Sequence, residues 1–325
     1  MPDSSLPSVE VEESRKHPLP PHHIPTSVQP GGGFCLSIEL AWGRMRRAFL
    51  RTFRPGYVRQ MQEKRQGTCD RFTNDVIDPR DLKFFSNVCG YSFRPEDDAF
   101  AWRGRLGFAR HGWAEIIIFS LAVWVGLGAT SVLAGMVHPL FGLLALPLLL
   151  FWAEILYFFR DPERPMPADV DALISPADGV ITNIEPVDEP DFGPALRISI
   201  FLSIFNVHVN RNPRSGTITN IRYFPGAYLD ARNPDSAKRN EQLWIDMTDA
   251  LTGQPMRVKQ ISGAIARRIV CWLKSGDQVV KGHRLGMIKF GSRTDLLLPA
   301  SAAVRVEVKV GDKVQGGMTI LARVS

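Results

Sequence analysis

Cysteine is scarce in this chain. The four residues Cys35, Cys69, Cys89 and Cys271 fall at unrelated spacings in 325 positions, and no Cys-x-x-Cys pair occurs. That argues against a thiolate metal site and a disulfide framework, and for reduced thiols. Charge is missing over a longer stretch. From Ile116 to Ala153, 38 residues pass without an Asp, Glu, Lys or Arg, where roughly 20 apolar residues suffice to cross a bilayer. The run begins too far along the chain for a signal peptide and exceeds the ~7–15 residues of its apolar core. One buried helix of a soluble core is the competing reading, and 38 residues exceed normal helix lengths. Gly135 and His138-Pro139 interrupt the run. The pattern therefore predicts two helices, about 114–136 and 140–158, as a transmembrane hairpin.

Arg103, Arg105 and Arg110 precede this run, and Arg160 and Arg164 follow it. Positive charge at both ends places both on the cytoplasmic side of a cell (inner) membrane. The net charge of +6 favours an anionic lipid surface. Nucleic acid is the other partner of basic chains, but no basic motif interleaved with aromatic residues is present.

Four regions follow from composition. Residues 1–33 are rich in Pro, Ser and His, as disordered tails are. Residues 34–104 form a basic extension. Within it Leu36, Leu40, Met45, Phe49 and Phe53 recur at helical spacing beside Arg44, Arg46, Arg47 and Arg51. That suits a helix lying on a membrane surface and an ordinary amphipathic helix equally well. Residues 105–160 hold the hairpin, and residues 161–325 are β-rich, with alternating stretches such as "ALRISIFLSIFNVHV", "GTITNIRYF" and "AAVRVEVKV". The fold class expected is mainly β (α+β).

The β-rich region repeats itself. Gly276-Asp277-x-Val279-x-x-Gly282-x-x-Leu285 returns 35 residues later as Gly311-Asp312-x-Val314-x-x-Gly317-x-x-Ile320. Gly-Asp makes a tight turn, Val fills a core position, and the second Gly permits a bend. The pattern resembles the biotinyl and lipoyl carrier domains, which are flattened sandwiches of two such halves. A membrane-tethered carrier or adaptor is therefore one reading, although Lys289, flanked by Phe290 and Gly291, matches a carrier lysine poorly.

Three further segments bear on chemistry: Ser175-Pro176-Ala177-Asp178-Gly179, Val207-His208-Val209-Asn210-Arg211 and Phe290-Gly291-Ser292-Arg293. Singly they are ordinary, as a hairpin turn, a packed histidine and another turn. They occur in one chain with Phe159-Arg160-Asp161-Pro162-x-Arg164, Asn240-Glu241 and Gly263-Ala264-x-Ala266-Arg267-Arg268-Ile269. Together, over residues 105–325, they resemble the phosphatidylserine decarboxylase family, in its compact branch with a Gly-Ser cleavage site.

That resemblance implies a pyruvoyl enzyme that makes its own cofactor. A serine hydroxyl can attack the preceding carbonyl and turn the amide into an ester, provided that a base accepts its proton and the backbone is bent. β-Elimination then leaves dehydroalanine, which hydrolyses to ammonia and a pyruvoyl group. Cutting between Gly291 and Ser292 gives a β chain of residues 1–291 and an α chain of residues 292–325, a heterodimer able to assemble further. By resemblance Ser292, His208 and Asp178 form the catalytic set, with Asp178 orienting His208. Many members carry two histidines three apart where this chain has His208 alone, so His208 serves self-cleavage, protonation of the substrate carbon, or both.

The substrate implied is phosphatidylserine, converted through a Schiff base to phosphatidylethanolamine and CO2 without metal or pyridoxal phosphate. Arg211, Arg267, Arg268 and Arg293, with Arg160, are the candidates for phosphate or carboxylate contact. Another serine-headgroup lipid, of the archaetidylserine type, fits the same chemistry. An ordinary serine hydrolase lacks its G-x-S-x-G elbow here.

Overall fold

The computed structural model describes residues 34–68, 75–84, 90–189, 191–233, 235–265, 268–289 and 291–324. The expected tail of residues 1–33 and the candidate Arg267 lie outside them.

Helical spacing after residue 33 yields α1 (Phe34–Phe53), and Pro55, in the first turn, opens α2 (Pro55–Lys64). The expected apolar stripe is divided. Leu36 and Leu40 pack against Val76 and Phe84, whereas Met45, Phe49 and Phe53 stay exposed. Three of the four arginines of α1 are engaged by acids, while Arg44 stays exposed. Arg46 and Arg47 pair with Asp78 and Asp81, and Arg51 with Asp75. Cys35 and Cys271 are buried and unbridged, and burial pushes the Cys35 thiol up to about 11.

The uncharged run forms α3 (Trp113–Met136) and α4 (Ala145–Phe158), joined by a 3-10 turn over Pro139–Leu144. The break falls where His138-Pro139 requires it, and His138 Nδ1 accepts the Leu140 amide at 3.3 Å. The two helices touch through the Phe119–Phe151 and Trp124–Trp152 ring pairs and a 2.9 Å bond from Trp152 Nε1 to Ser120 Oγ. Only 17% and 6% of their most apolar windows are buried within the protein. A single core helix is therefore not what this run forms. One end of each helix is anchored: Ile116, Ile155, Phe158 and Phe159 share a core with Val207, Val209 and Met287 of the β region.

Fourteen strands follow among the described residues. The first seven are β1 (Ala172–Ile174), β2 (Gly179–Glu189), β3 (Gly193–Leu202), β4 (Val209–Arg211), β5 (Gly216–Phe224), β6 (Gln242–Asp249) and β7 (Pro255–Ser262). The rest are β8 (Ile269–Cys271), β9 (Gln278–Val279), β10 (Arg284–Ile288), β11 (Ser292–Pro299), β12 (Val304–Val306), β13 (Lys313–Val314) and β14 (Ile320–Val324). An eight-stranded antiparallel sheet runs β13-β2-β3-β11-β7-β6-β5-β9, and two three-stranded sheets run β1-β14-β12 and β4-β10-β8. Ile198, Ile200, Leu296 and Leu298 of the large sheet meet Leu173, Ile269, Leu285 and Leu321 of the small ones in one core.

The repeat is visible in the hydrogen bonds. Gly276 N donates to Ile218 O while Ile218 N donates to Asp277 O; Gly311 N and Ile181 N make the same reciprocal pair with Ile181 O and Asp312 O. Each Asp also accepts the amide three residues before it at 2.9 Å, from Lys274 and Lys309. The two copies put β9 and β13 on opposite edges of the large sheet, and β10 and β14 at the centres of the small ones.

Leu296 is fully buried on the central strand. Leu296→Ala should cost about 2–5 kcal/mol, the usual price of a core truncation, read as a lowered midpoint in denaturant against the parent chain.

Candidate active site

Ser292 is the first residue of β11, opposite Leu202 of β3 on one side and Ser262 of β7 on the other. Side chains alternate along a strand, so Ser292 shares its face with Thr294 and with the core residue Leu296. Its Oγ is buried and has no hydrogen-bond partner among the described residues. A buried hydroxyl without a partner is unfavourable unless it serves some purpose.

The bond before it is shaped by two glycines. Gly291 has φ +75°, in the left-handed region where a side chain would be strained. Gly263 lies against it, and a Cβ there would stand 2.6 Å from the Gly291 carbonyl oxygen. The missing side chain at 263 thus lets the Gly291–Ser292 carbonyl sit where it does.

His208 reaches the same bond from the position just before β4. Its Nδ1 lies 2.9 Å from the Asn206 carbonyl, which requires a proton on Nδ1. That leaves Nε2 with a lone pair, and Nε2 accepts the Gly291 amide at 3.3 Å. The ring packs on Phe158 at the end of α4, with centroids 4.4 Å apart. Burial lowers its pKa to about 4, against the hydrogen bond to Asn206 and the charge of Asp178, which favour the protonated ring.

Asp178 stands elsewhere than expected. Its carboxylate receives both terminal nitrogens of Arg164, at 2.5 and 2.8 Å, and the Gly316 amide at 2.8 Å. The hydrogen-bond partner of His208 Nδ1 is the Asn206 carbonyl, and the charge of Asp178 favours the protonated ring. Sequence reading missed Asn206, although it lies two residues before His208.

The candidate arginines are mostly architectural. Arg211 is buried and holds Asp161 at 2.9 Å and the Gly282 carbonyl at 3.2 Å. Arg293 holds Asp295 at 2.6 Å and Ser199 at 2.8 Å, on the face of β11 opposite Ser292. Arg268 is buried against Glu39 at 3.4 Å. Arg160 differs, being half-buried, with 2.9 Å from its guanidinium to the Phe205 carbonyl and a charge felt at His208.

Lys289 is fully buried, its ammonium on Glu39, Glu115 and the His111 carbonyl. A carrier lysine must swing through solvent, so this one cannot carry a prosthetic group. Ser292 is equally unlike the exposed nucleophile of a hydrolase elbow. Among the described residues no cluster of His, Cys, Asp and Glu suits a metal ion.

The sequence profile of the family described as phosphatidylserine decarboxylase matches residues 151–322. A protein of Rhodopirellula baltica named phosphatidylserine decarboxylase proenzyme is 41% identical over 243 residues, covering 74% of this chain and 98% of that one. Proteins of the same name from Desulfotalea psychrophila and Chlorobium chlorochromatii are 51% identical over 178 residues and 52% identical over 170. Those matches cover 54% and 52% of this chain, and 82% and 78% of the relatives.

The low pKa of His208 has a thermodynamic consequence. The unfolded chain binds this proton at about 6.5 and the folded chain only at about 4. Stability is therefore complete above pH 6.5 and falls as pH drops from there towards 4, by roughly 3 kcal/mol in all. Denaturant titrations of the Ser292→Ala chain should show that slope, and His208→Gln should flatten it.

Proposed function

The chain belongs to the phosphatidylserine decarboxylase family, and on that premise we propose that it is a membrane-bound phosphatidylserine decarboxylase, made as a proenzyme that cuts itself between Gly291 and Ser292. One observation carries this reading. A buried Ser292 hydroxyl without a partner among the described residues follows a left-handed Gly291 whose amide rests on the basic nitrogen of His208.

In the cut, Ser292 Oγ adds to the Gly291 carbonyl carbon and the Ser292 nitrogen leaves it, converting amide to ester. His208 takes the hydroxyl proton at Nε2 and returns it to the departing Ser292 nitrogen, and the nearby charge of Asp178 favours the imidazolium formed in between. Loss of the Ser292 α-proton then expels the Gly291 carboxylate and leaves dehydroalanine. Water converts that to a pyruvoyl group and releases ammonia. The pyruvoyl group supplies an electron-accepting carbonyl on which a serine headgroup can lose CO2. The residues present fit it, because the Ser292 side chain is buried, its Oγ has no hydrogen-bond partner among the described residues, and His208 Nε2 sits on the adjoining Gly291 amide.

For the lipid reaction a neutral His208 would relay a proton from water to the product carbon rather than store one, and Arg160 offers a cation to phosphate or carboxylate. The α chain stays bound through the ladders of β11, giving a β–α heterodimer. The duplicated units take the part of the two halves of a biotinyl-like sandwich. Helices α3 and α4 form the membrane hairpin, their anchored ends and arginines on the cytoplasmic side with the catalytic domain. At about 36 Å, α3 is long enough to cross the hydrocarbon core. The exposed Phe205 and Ile265 then face the lipid headgroups.

Intact-mass analysis of the purified protein should find two chains divided before Ser292, the smaller blocked at its N-terminus and reactive to carbonyl reagents. Ser292→Ala should remain one chain without decarboxylase activity on phosphatidylserine vesicles. A single uncut 36.3 kDa chain with full activity would sink the reading. Because His208 stays neutral down to about pH 4, processing should keep its rate from pH 8 to about 5 and fall below that; an ordinary histidine would lose rate through pH 6.5. Gly263→Ala should slow cleavage by roughly 100-fold, since an ångström of displacement at a reacting carbonyl has that effect.

A further inference from the structure

The extension before residue 105 enters the neighbourhood of the scissile bond. Glu39 of α1 is fully buried. One of its oxygens takes the Lys289 ammonium, and the other lies 3.4 Å from the Arg268 guanidinium and 3.1 Å from the Lys83 ammonium. Lys289 stands two residues before Gly291, and its own amide donates to the Arg268 carbonyl at 3.0 Å. Arg268 lies on the segment that begins at Gly263, the glycine against the Gly291 carbonyl. Glu39 therefore holds both segments that frame the bond.

The charges explain why it is needed. Lys289 and Arg268 are buried cations; Glu115 of α3 shares Lys289 with Glu39, and the charge of Arg268 also reaches the buried Glu241. Removing one partner from a buried ion cluster leaves an uncompensated charge that must move toward water or drag its surroundings. Burial acts to raise the Glu39 carboxyl, but Lys289, Lys83 and Arg268 outweigh it and hold Glu39 well below the usual carboxylate range. The family profile matches residues 151–322, a stretch that does not include α1.

We propose that α1 is an in-chain positioning element for self-cleavage, in which Glu39 ties Lys289 and Arg268 together and so fixes the Gly291 carbonyl for attack. The proposal rests on the reading that the chain cuts itself at this bond. Glu39 touches none of the reacting atoms and acts through the two cations.

The test has two arms, both on the full-length chain in detergent micelles. In the first, cleavage is followed by intact mass for the parent, Glu39→Gln, Glu39→Asp and the exposed control Arg51→Gln. Glu39→Gln should cleave at least tenfold more slowly, Glu39→Asp should recover much of the rate, and Arg51→Gln should match the parent. In the second, Ser292→Ala chains with and without Glu39→Gln are compared by hydrogen exchange. Exchange should rise at least tenfold in peptides over 284–295 and stay unchanged over β5 and β6. Cleavage of Glu39→Gln at the parent rate overturns the proposal. So does unchanged exchange at 284–295, or a rise spread evenly over the chain, which would make Glu39 a plain support of the fold. A parent that never cleaves refutes self-processing instead, and the exchange arm still decides whether Glu39 positions the segment.

Discussion

A strand hydrogen-bonded on both sides cannot slide, and β11 is such a strand from its first residue. Its ladder runs from Ser292 to Pro299 against β3 and from Ser292 to Leu297 against β7. The Ser292 side chain is thereby fixed against the core face of the sheet. Gly291, outside the ladder and left-handed, is where the backbone leaves that plane. Nucleophile and carbonyl thus belong to two regimes one bond apart, a rigid one and a bent one. A cut at this boundary would break no ladder, so the sheet that fixes the serine would also retain the piece released. That piece would supply β11, both edge and central strands of one repeat copy, and the pairing partner of β1.

Most of the charged residues that draw attention in the sequence build this frame. Asp161 takes Arg211 and Arg284, and Arg164 takes Asp178, so the segment leaving α4 is riveted to both repeat copies. Such buried pairs add little net stability compared with apolar packing, but each partner makes the other obligatory. That is a means of fixing position. It puts the end of α4, and with it Phe158, against His208. The outer face of the large sheet is tied in the same manner by Arg257–Asp246, Lys259–Glu189 and Arg293–Asp295.

How much of this could be read from the sequence depended on distance along the chain. The uncharged run and its break are local patterns, and both helices lie within a residue or a few of their expected limits, α4 starting later because a 3-10 turn precedes it. The repeat was legible because each Gly-Asp turn closes on its own neighbours. Strand alternation would have put Arg293 on the face opposite its neighbour Ser292, so that candidate was excludable from parity alone. The Lys289–Glu39 pair spans 250 residues, and no spacing rule reaches so far. Its one trace is compositional: Glu39 is the sole acid between Ser14 and Gln62, in a segment full of arginine. An isolated acid of that kind is a candidate for a buried partner.

His208 brings these strands of argument together, because one property serves two needs that ordinarily conflict. A base must be neutral to accept a proton, and a histidine near a carboxylate is easily protonated. Here burial against Phe158 wins over the pull of Asp178 and keeps the ring neutral. In the proposed self-cleavage the same burial would keep bulk water from a reactive ester. On that reading a lipid headgroup would have to reach this enclosed position afterwards. The polar side of the site is sealed by the paired arginines, whereas Arg160 and Phe205 lie half-buried and exposed beside the end of α4, joined by a single 2.9 Å hydrogen bond. The least tied wall of the site is therefore the one next to the apolar helices, and on the proposed reading a substrate held in a bilayer would approach from that side.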